Sequence, residues 1–275
     1  MKKIIVLLIV ASSICCSAQE VNIKEQVRKS ATLIFSKKDN NSTQFGSGFF
    51  VIKSYMPSNQ KRLFFVTAKH VIMSDGENQV YFSEMYIRLN KKGDGAEILK
   101  VRLLNNDGTH TFLIHDDPSV DIAVIPVNID MRLYEVCAIP FDFILNKEKF
   151  KELGIQESDD IFLCGLYKKY LGNEKSMPIF RFGKFALITD EKMNFKGIPK
   201  HLYIADMYAT PGNSGSPVFN MKESNNRLTR MPNIYLVGVS IGIDQSDGIS
   251  FVVPSQYLYD ILMNTEVGSG GLHHN

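Results

Sequence analysis

The chain has 275 residues, 44% hydrophobic and 22% charged, with 31 Lys and Arg against 29 Asp and Glu. That composition can build a substantial core and excludes wholesale disorder, and the length admits one large domain or two small ones. Near-neutral charge gives no electrostatic reason to expect nucleic acid or an anionic membrane as a partner.

Residues 1–18 read as an export signal. Lys2 and Lys3 precede an apolar stretch, 4–11, too short to span a bilayer, and small residues close it at Ala18. Cleavage near Ala18 is expected, with lipid attachment at Cys15 or Cys16 as the rival, so the product is expected to be secreted or periplasmic. Losing Lys2 and Lys3 brings basic and acidic residues level. Cys137 and Cys164 then remain. An oxidising compartment permits a bridge between them, while their apolar surroundings suit buried free thiols at least as well.

Ile23 and Val27, four apart, suggest a short amphipathic helix over 20–29. Strands follow at 31–35, 45–52 and 63–67, separated by an exposed turn at 36–43 and a polar loop at 54–62. The third strand delivers His70. Further strands are expected at 85–89 and 98–103, around the turn Lys91-Lys92-Gly93-Asp94-Gly95. Turn chemistry at 105–108 and 116–119 then leads to Asp121 and the apolar run 122–125.

The charged stretch 146–160, with a helical turn closed by Gly154, reads as a linker between an N-terminal half, 19–145, and a C-terminal half, 161–264. The second half offers strands at 161–166, 179–187, 201–208, 235–242 and 249–253. Ser255 is a candidate N-cap for a helix with Tyr257, Leu258, Ile261 and Leu262 on one face. The glycine-rich tail, 265–275, is expected to be loose, and no second domain is expected after Asn264. Many short strands at close spacing point to an all-β barrel or sandwich.

Chemistry concentrates in Thr210-Pro211-Gly212-Asn213-Ser214-Gly215-Ser216-Pro217. Glycines two before and one after Ser214 allow a tight turn that can expose the hydroxyl and aim backbone N–H groups at one point. An ordinary turn between strands has the same composition. A serine nucleophile also needs a base, and the base an orienting partner. His70 at the end of one apolar run and Asp121 at the mouth of another supply both types. Asp116 and Asp117 are nearby competitors, but Asp121 has the apolar run to anchor it.

Gly46-Ser47-Gly48-Phe49, Thr67-Ala68-Lys69-His70, Asp121-Ile122-Ala123 and Gly212-Asn213-Ser214-Gly215-Ser216-Pro217, in that order, resemble the trypsin/chymotrypsin-like serine peptidases. The resemblance is to the bacterial branch of glutamyl endopeptidases and HtrA-type protease domains in particular. It implies two antiparallel β-barrels, with a C-terminal helix here, and an active site in the cleft between them. It also implies a Ser214–His70–Asp121 triad and an oxyanion hole from the backbone at Gly212, Asn213 and Ser214.

The substrate side chain would then meet Tyr208, Thr210, Ser240, Gly242 and Ser250. Ser240 stands where glutamyl endopeptidases carry a histidine, so no preference for glutamate follows. Substrates would be peptides or proteins, with no metal or cofactor. His110, His115, Asp116 and Asp117 lack metal-ligand spacing. A catalytically idle peptide-binding relative and a non-proteolytic acyl hydrolase are the alternatives. The α/β-hydrolase order, with acid and histidine after the serine, is not met, because the only histidines after Ser214 are His273 and His274.

Overall fold

In the computed structural model, residues 23–37, 43–74, 80–195, 197–222 and 233–265 are described. The expected export signal over 1–18, with Cys15 and Cys16, and the tail from 266 onward lie outside them. Helix α1 (Ile23–Ser30) buries Val27 and runs directly into β1 (Ala31–Lys37). Then come β2 (Thr43–Tyr55), β3 (Gln60–Thr67), β4 (Glu84–Asn90), β5 (Ala96–Arg102), β6 (Leu113–Ile114), β7 (Ala123–Val127) and β8 (Ile139–Pro140). They form one curled sheet in the order β5-β4-β1-β2-β3-β7-β6, with β8 parallel to β2.

The pairing of β2 with β3 sets Phe49 opposite Val66 and Phe50 opposite Phe65. All four side chains are fully buried, and the Phe50 and Phe65 rings meet edge-on at 5.1 Å. Aromatic and β-branched neighbours across strands account for much of a sheet's stability. This first sheet does not close. Its last strand, β6, has only two residues, and β5 carries Glu97, Lys100 and Arg102, so neither edge offers a long apolar partner.

The second half does close. Strands β9 (Asp160–Gly165), β10 (Ile179–Leu187), β13 (Tyr203–Asp206), β14 (Pro217–Lys222), β15 (Asn233–Asp244) and β16 (Ile249–Pro254) form a barrel in the order β10-β13-β16-β15-β14-β9. Between β10 and β13 stands a separate hairpin, β11 (Lys192–Phe195) and β12 (Ile198–His201). The single strand expected over 201–208 is therefore divided. His201 ends the hairpin, fully buried Leu202 marks the break, and β13 starts at Tyr203.

Between the halves, α2 (Lys147–Glu152) is capped by the Asn146 side chain, which accepts from the Lys149 N–H at 2.9 Å. Helix α3 (Ser255–Met263) buries Leu258, Ile261 and Leu262. Its cap position is held by Pro254, so Ser255 is not the N-cap. The Ser255 hydroxyl instead donates to the buried Leu145 carbonyl at 2.7 Å, a neighbour that only folding supplies. Cys137 and Cys164 are free thiols, and burial pushes the Cys164 thiol up to about 12. Among the described residues no helix is long and apolar enough to cross a membrane.

Gly48 lies against the Phe65 ring, and a Cβ there would overlap the ring and come within 2.8 Å of the Val66 carbonyl oxygen. Gly48→Ala is expected to cost about 1–3 kcal/mol, as overpacking of a filled core does. Urea unfolding should show a lower midpoint at unchanged slope.

Candidate active site

Strand β3 ends at Thr67, and a 3-10 turn, Lys69–Ile72, carries His70 out of the sheet. The Asp121 carboxylate grips this turn twice. One oxygen accepts the His70 backbone N–H and the other lies on ring Nδ1, each at 2.9 Å. The Lys69 N–H also donates to the Asp121 carbonyl, at 3.3 Å. A carboxylate on Nδ1 places the ring proton there and leaves Nε2 as the basic nitrogen. The Asp121 side chain is 5% exposed and that of His70 39%, so the pair has a buried end and an open end.

Burial alone would push the Asp121 carboxyl up. The charge and hydrogen bond of His70, with the Lys200 ammonium 3.1 Å from the same oxygen, outweigh burial and hold it well below the usual carboxylate range.

The serine turn is braced by Asn213. Its N–H donates to the Thr210 carbonyl at 2.9 Å, and its Oδ1 accepts from the Thr210 N–H at 2.8 Å and the Thr210 hydroxyl at 3.0 Å. Its Nδ2 donates to the Leu166 carbonyl at 2.7 Å. Gly212 and Gly215 take φ of +102° and +88°, which side-chain-bearing residues rarely adopt. At Gly215 a Cβ would also overlap the Ser47 carbonyl oxygen and the Thr67 hydroxyl. The turn therefore presses on the end of β3, two residues before His70 begins its own turn.

Ser47 completes the docking. Its N–H donates to the Ser214 carbonyl at 2.8 Å, and its hydroxyl donates to the Gly212 carbonyl at 2.7 Å and accepts the Leu166 N–H at 2.9 Å.

The structure thus brings His70 and Asp121 into direct contact and sets the Ser214 turn alongside. The Ser214 hydroxyl itself donates to the Ile241 carbonyl at 3.3 Å, and among the described residues no hydrogen bond joins it to the His70 ring. The Gly212 and Ser214 N–H groups have no acceptor among the described residues, whereas that of Asn213 is taken by Thr210.

Ser240 is buried beside the turn, where its carbonyl accepts from Gly215 and its N–H donates to Ser216. Ser250 is fully buried and donates to the Met207 carbonyl. Gly242 lies under Phe195, whose ring would be 3.0 Å from a Cβ there. Tyr208 is exposed, and Thr210 is engaged by Asn213.

Four residues at the site were not singled out from sequence: Ser47 as an anchor, Ile241 as the serine's partner, Phe195 and Lys200. Ser47 had a signal, a serine between two glycines in a strand. The hairpin residues had none.

A buried carboxylate on an exposed imidazole, beside a glycine-bounded serine turn and at the junction of two β-sheet halves, is the layout of the chymotrypsin-like proteases. Residues 46–225 match the trypsin-like peptidase domain, and the chain belongs to that family. The fold is similar to that of the MamO protease domain from Magnetospirillum magneticum in its apo form. That likeness has TM-score 0.53 and 15% identity, covering 88% of this chain and 98% of that one. It is also similar to catalytically active tobacco etch virus protease complexed with product, with TM-score 0.50 and 12% identity over 88% of this chain and 79% of that one. No curated protein sequence matches the chain.

The depressed Asp121 carboxyl has a consequence for stability. Its contribution is complete above the unfolded value, about pH 4, and is lost as pH falls through the lower folded value. Asp121→Asn should flatten the fall of the urea midpoint below about pH 4. An unchanged acid slope in that variant would remove Asp121 as its source.

Proposed function

We propose that the protein is an exported serine endopeptidase working through Ser214, His70 and Asp121. The observation that carries this reading is the His70 ring, fixed through Nδ1 on a buried carboxylate, with no hydrogen bond on Nε2 among the described residues, next to the docked Ser214 turn. For the row to form, the Ser214 hydroxyl must turn about its side-chain torsion from the Ile241 carbonyl to Nε2, a change between staggered wells.

Ser214 Oγ then attacks the peptide carbonyl carbon while Nε2 takes its proton. The new tetrahedral oxyanion is met by the N–H groups of Gly212 and Ser214, which have no acceptor among the described residues. Asp121 stabilises the imidazolium. His70 returns the proton to the departing amine, the C–N bond breaks and an acyl-enzyme forms. Water, activated by the same ring, releases the acid and restores the serine. Asn213 shapes the turn, its own N–H being spent on Thr210.

The substrate side chain enters beside Tyr208, Thr210, Ser240, Gly242 and Ser250. Residues 1–18 act as the leader, the halves 19–145 and 161–264 flank the cleft, and the substrates are peptides or proteins.

A fluorophosphonate probe should label the mature protein once, at Ser214, and not label Ser214→Ala. Asp121→Asn should lower kcat on a cleavable peptide by about 10⁴-fold, through the wrong imidazole tautomer. Equal labelling of wild type and Ser214→Ala would sink the assignment.

A further inference from the structure

The hairpin β11–β12 belongs to the C-terminal half but reaches back to the N-terminal one. Near its start the Lys192 ammonium lies 3.1 Å from Asp117, and on its second strand the Lys200 ammonium lies 3.1 Å from Asp121 Oδ2. Phe195, between them in the chain, packs on Phe251 with ring centroids 4.7 Å apart. The Lys200 ammonium sits 5.6 Å from the Phe195 ring centre, and its side chain is 12% exposed.

Asp121 Oδ2 therefore has two nitrogens on it, His70 Nδ1 at 2.9 Å and Lys200 Nζ at 3.1 Å. We propose that Lys200 is a positioning residue of the active site. Its ammonium holds the carboxylate in place and, by sharing its charge, disfavours protonation of the His70 ring. This rests on the protease reading above for its functional meaning, but not for its measurement.

The electrostatics run in one direction. A carboxylate next to imidazole favours the imidazolium, and a cation on that carboxylate opposes it. Removing the Lys200 charge would therefore favour the imidazolium, while Asp121 would still fix the ring.

Other charged and titratable groups pack around the pair. On the histidine's own turn, the Lys69 ammonium is engaged by the Pro118 carbonyl at 2.7 Å, and burial pulls its value down. Asp117, before β7, is paired with Lys192. Tyr81 is held neutral to higher pH by burial and by the Asp121 charge, and its ring packs on His110. His115 and His201 both lie against Tyr257 of α3. Lys200 is the only one of these cations with an ammonium in direct contact with the Asp121 carboxylate, among the described residues.

The test is a pH titration of the His70 ring by ¹H–¹⁵N NMR in the full mature chain. The chain carries Ser214→Ala to prevent self-cleavage, and the signal is assigned by its loss in His70→Ala. Lys200→Gln and Lys200→Met should raise the His70 midpoint by about 1 pH unit, and Lys200→Arg should leave it near the Lys200 value.

Identical midpoints with Lys, Gln and Met at position 200 would overturn the proposal. So would an arginine variant that shifts like the methionine one. Unfolding of both neutral variants, with the arginine variant folded, would reduce Lys200 to a strut between the halves and overturn the electrostatic claim. Failure of the fluorophosphonate to label Ser214 would instead sink the protease reading and leave this titration untouched.

Discussion

One buried residue ties the Ser214 turn to the half of the molecule that carries His70. Ser47, fully buried in β2, uses its N–H, its hydroxyl and its carbonyl together. The first two hold the Ser214 and Gly212 carbonyls, and the third accepts the Thr67 hydroxyl at 2.8 Å from the neighbouring strand. Ser47, Gly212 and Thr67 are buried, and there an unpaired polar atom costs about 1–3 kcal/mol. The two halves cannot separate at this point without orphaning several of them at once. That penalty fixes the serine turn against β2 and the end of β3.

The flanking glycines serve the same contact. Gly46 faces Val71, one residue past His70, where a Cβ would overlap the valine methyls and lie 3.2 Å from the Ser214 carbonyl. Gly215 lies against Ser47 and Thr67 from the other side. Small residues on both surfaces let backbone meet backbone, so the spacing between the two turns is set by peptide groups and not by mobile side chains. A nucleophile and a base supplied by different halves need that kind of fixed spacing, because misplacement by an ångström can cost about a hundredfold in rate.

What could be read from sequence were features with a local cause. The runs Leu63–Thr67, Met85–Leu89 and Ile179–Leu187 become strands because period-two and β-branched patterning acts over a few residues. Gly212 and Gly215 announce a turn because their φ values suit glycine. Asp121 is separable from Asp116 and Asp117 because an apolar run follows it. The hairpin β11–β12 was illegible for the opposite reason. Its strands hold four residues each, Pro199 reads as a breaker, and they pair only with each other. Lys200 looks like any surface lysine until folding sets it beside Asp121. Ser255 misled because a serine before an apolar helix suits a cap, and the buried Leu145 carbonyl that claims its hydroxyl is 110 residues away.

The position of the Ser214 hydroxyl follows from the same bookkeeping of polar groups. Strand β15 shifts register against β16 between Ser240 and Gly242, which sets Ile241 outside the regular ladder. Its carbonyl is therefore available, and the serine hydroxyl supplies a donor at 3.3 Å. A neutral hydrogen bond of that kind contributes about 1 kcal/mol. In the proposed mechanism an imidazole nitrogen would replace this acceptor, one hydrogen bond traded for another. Asn213, Ser47 and the glycines hold the backbone of the turn in place meanwhile. The site thus combines a rigid frame with one soft torsion, and that torsion belongs to the atom that would form the covalent bond.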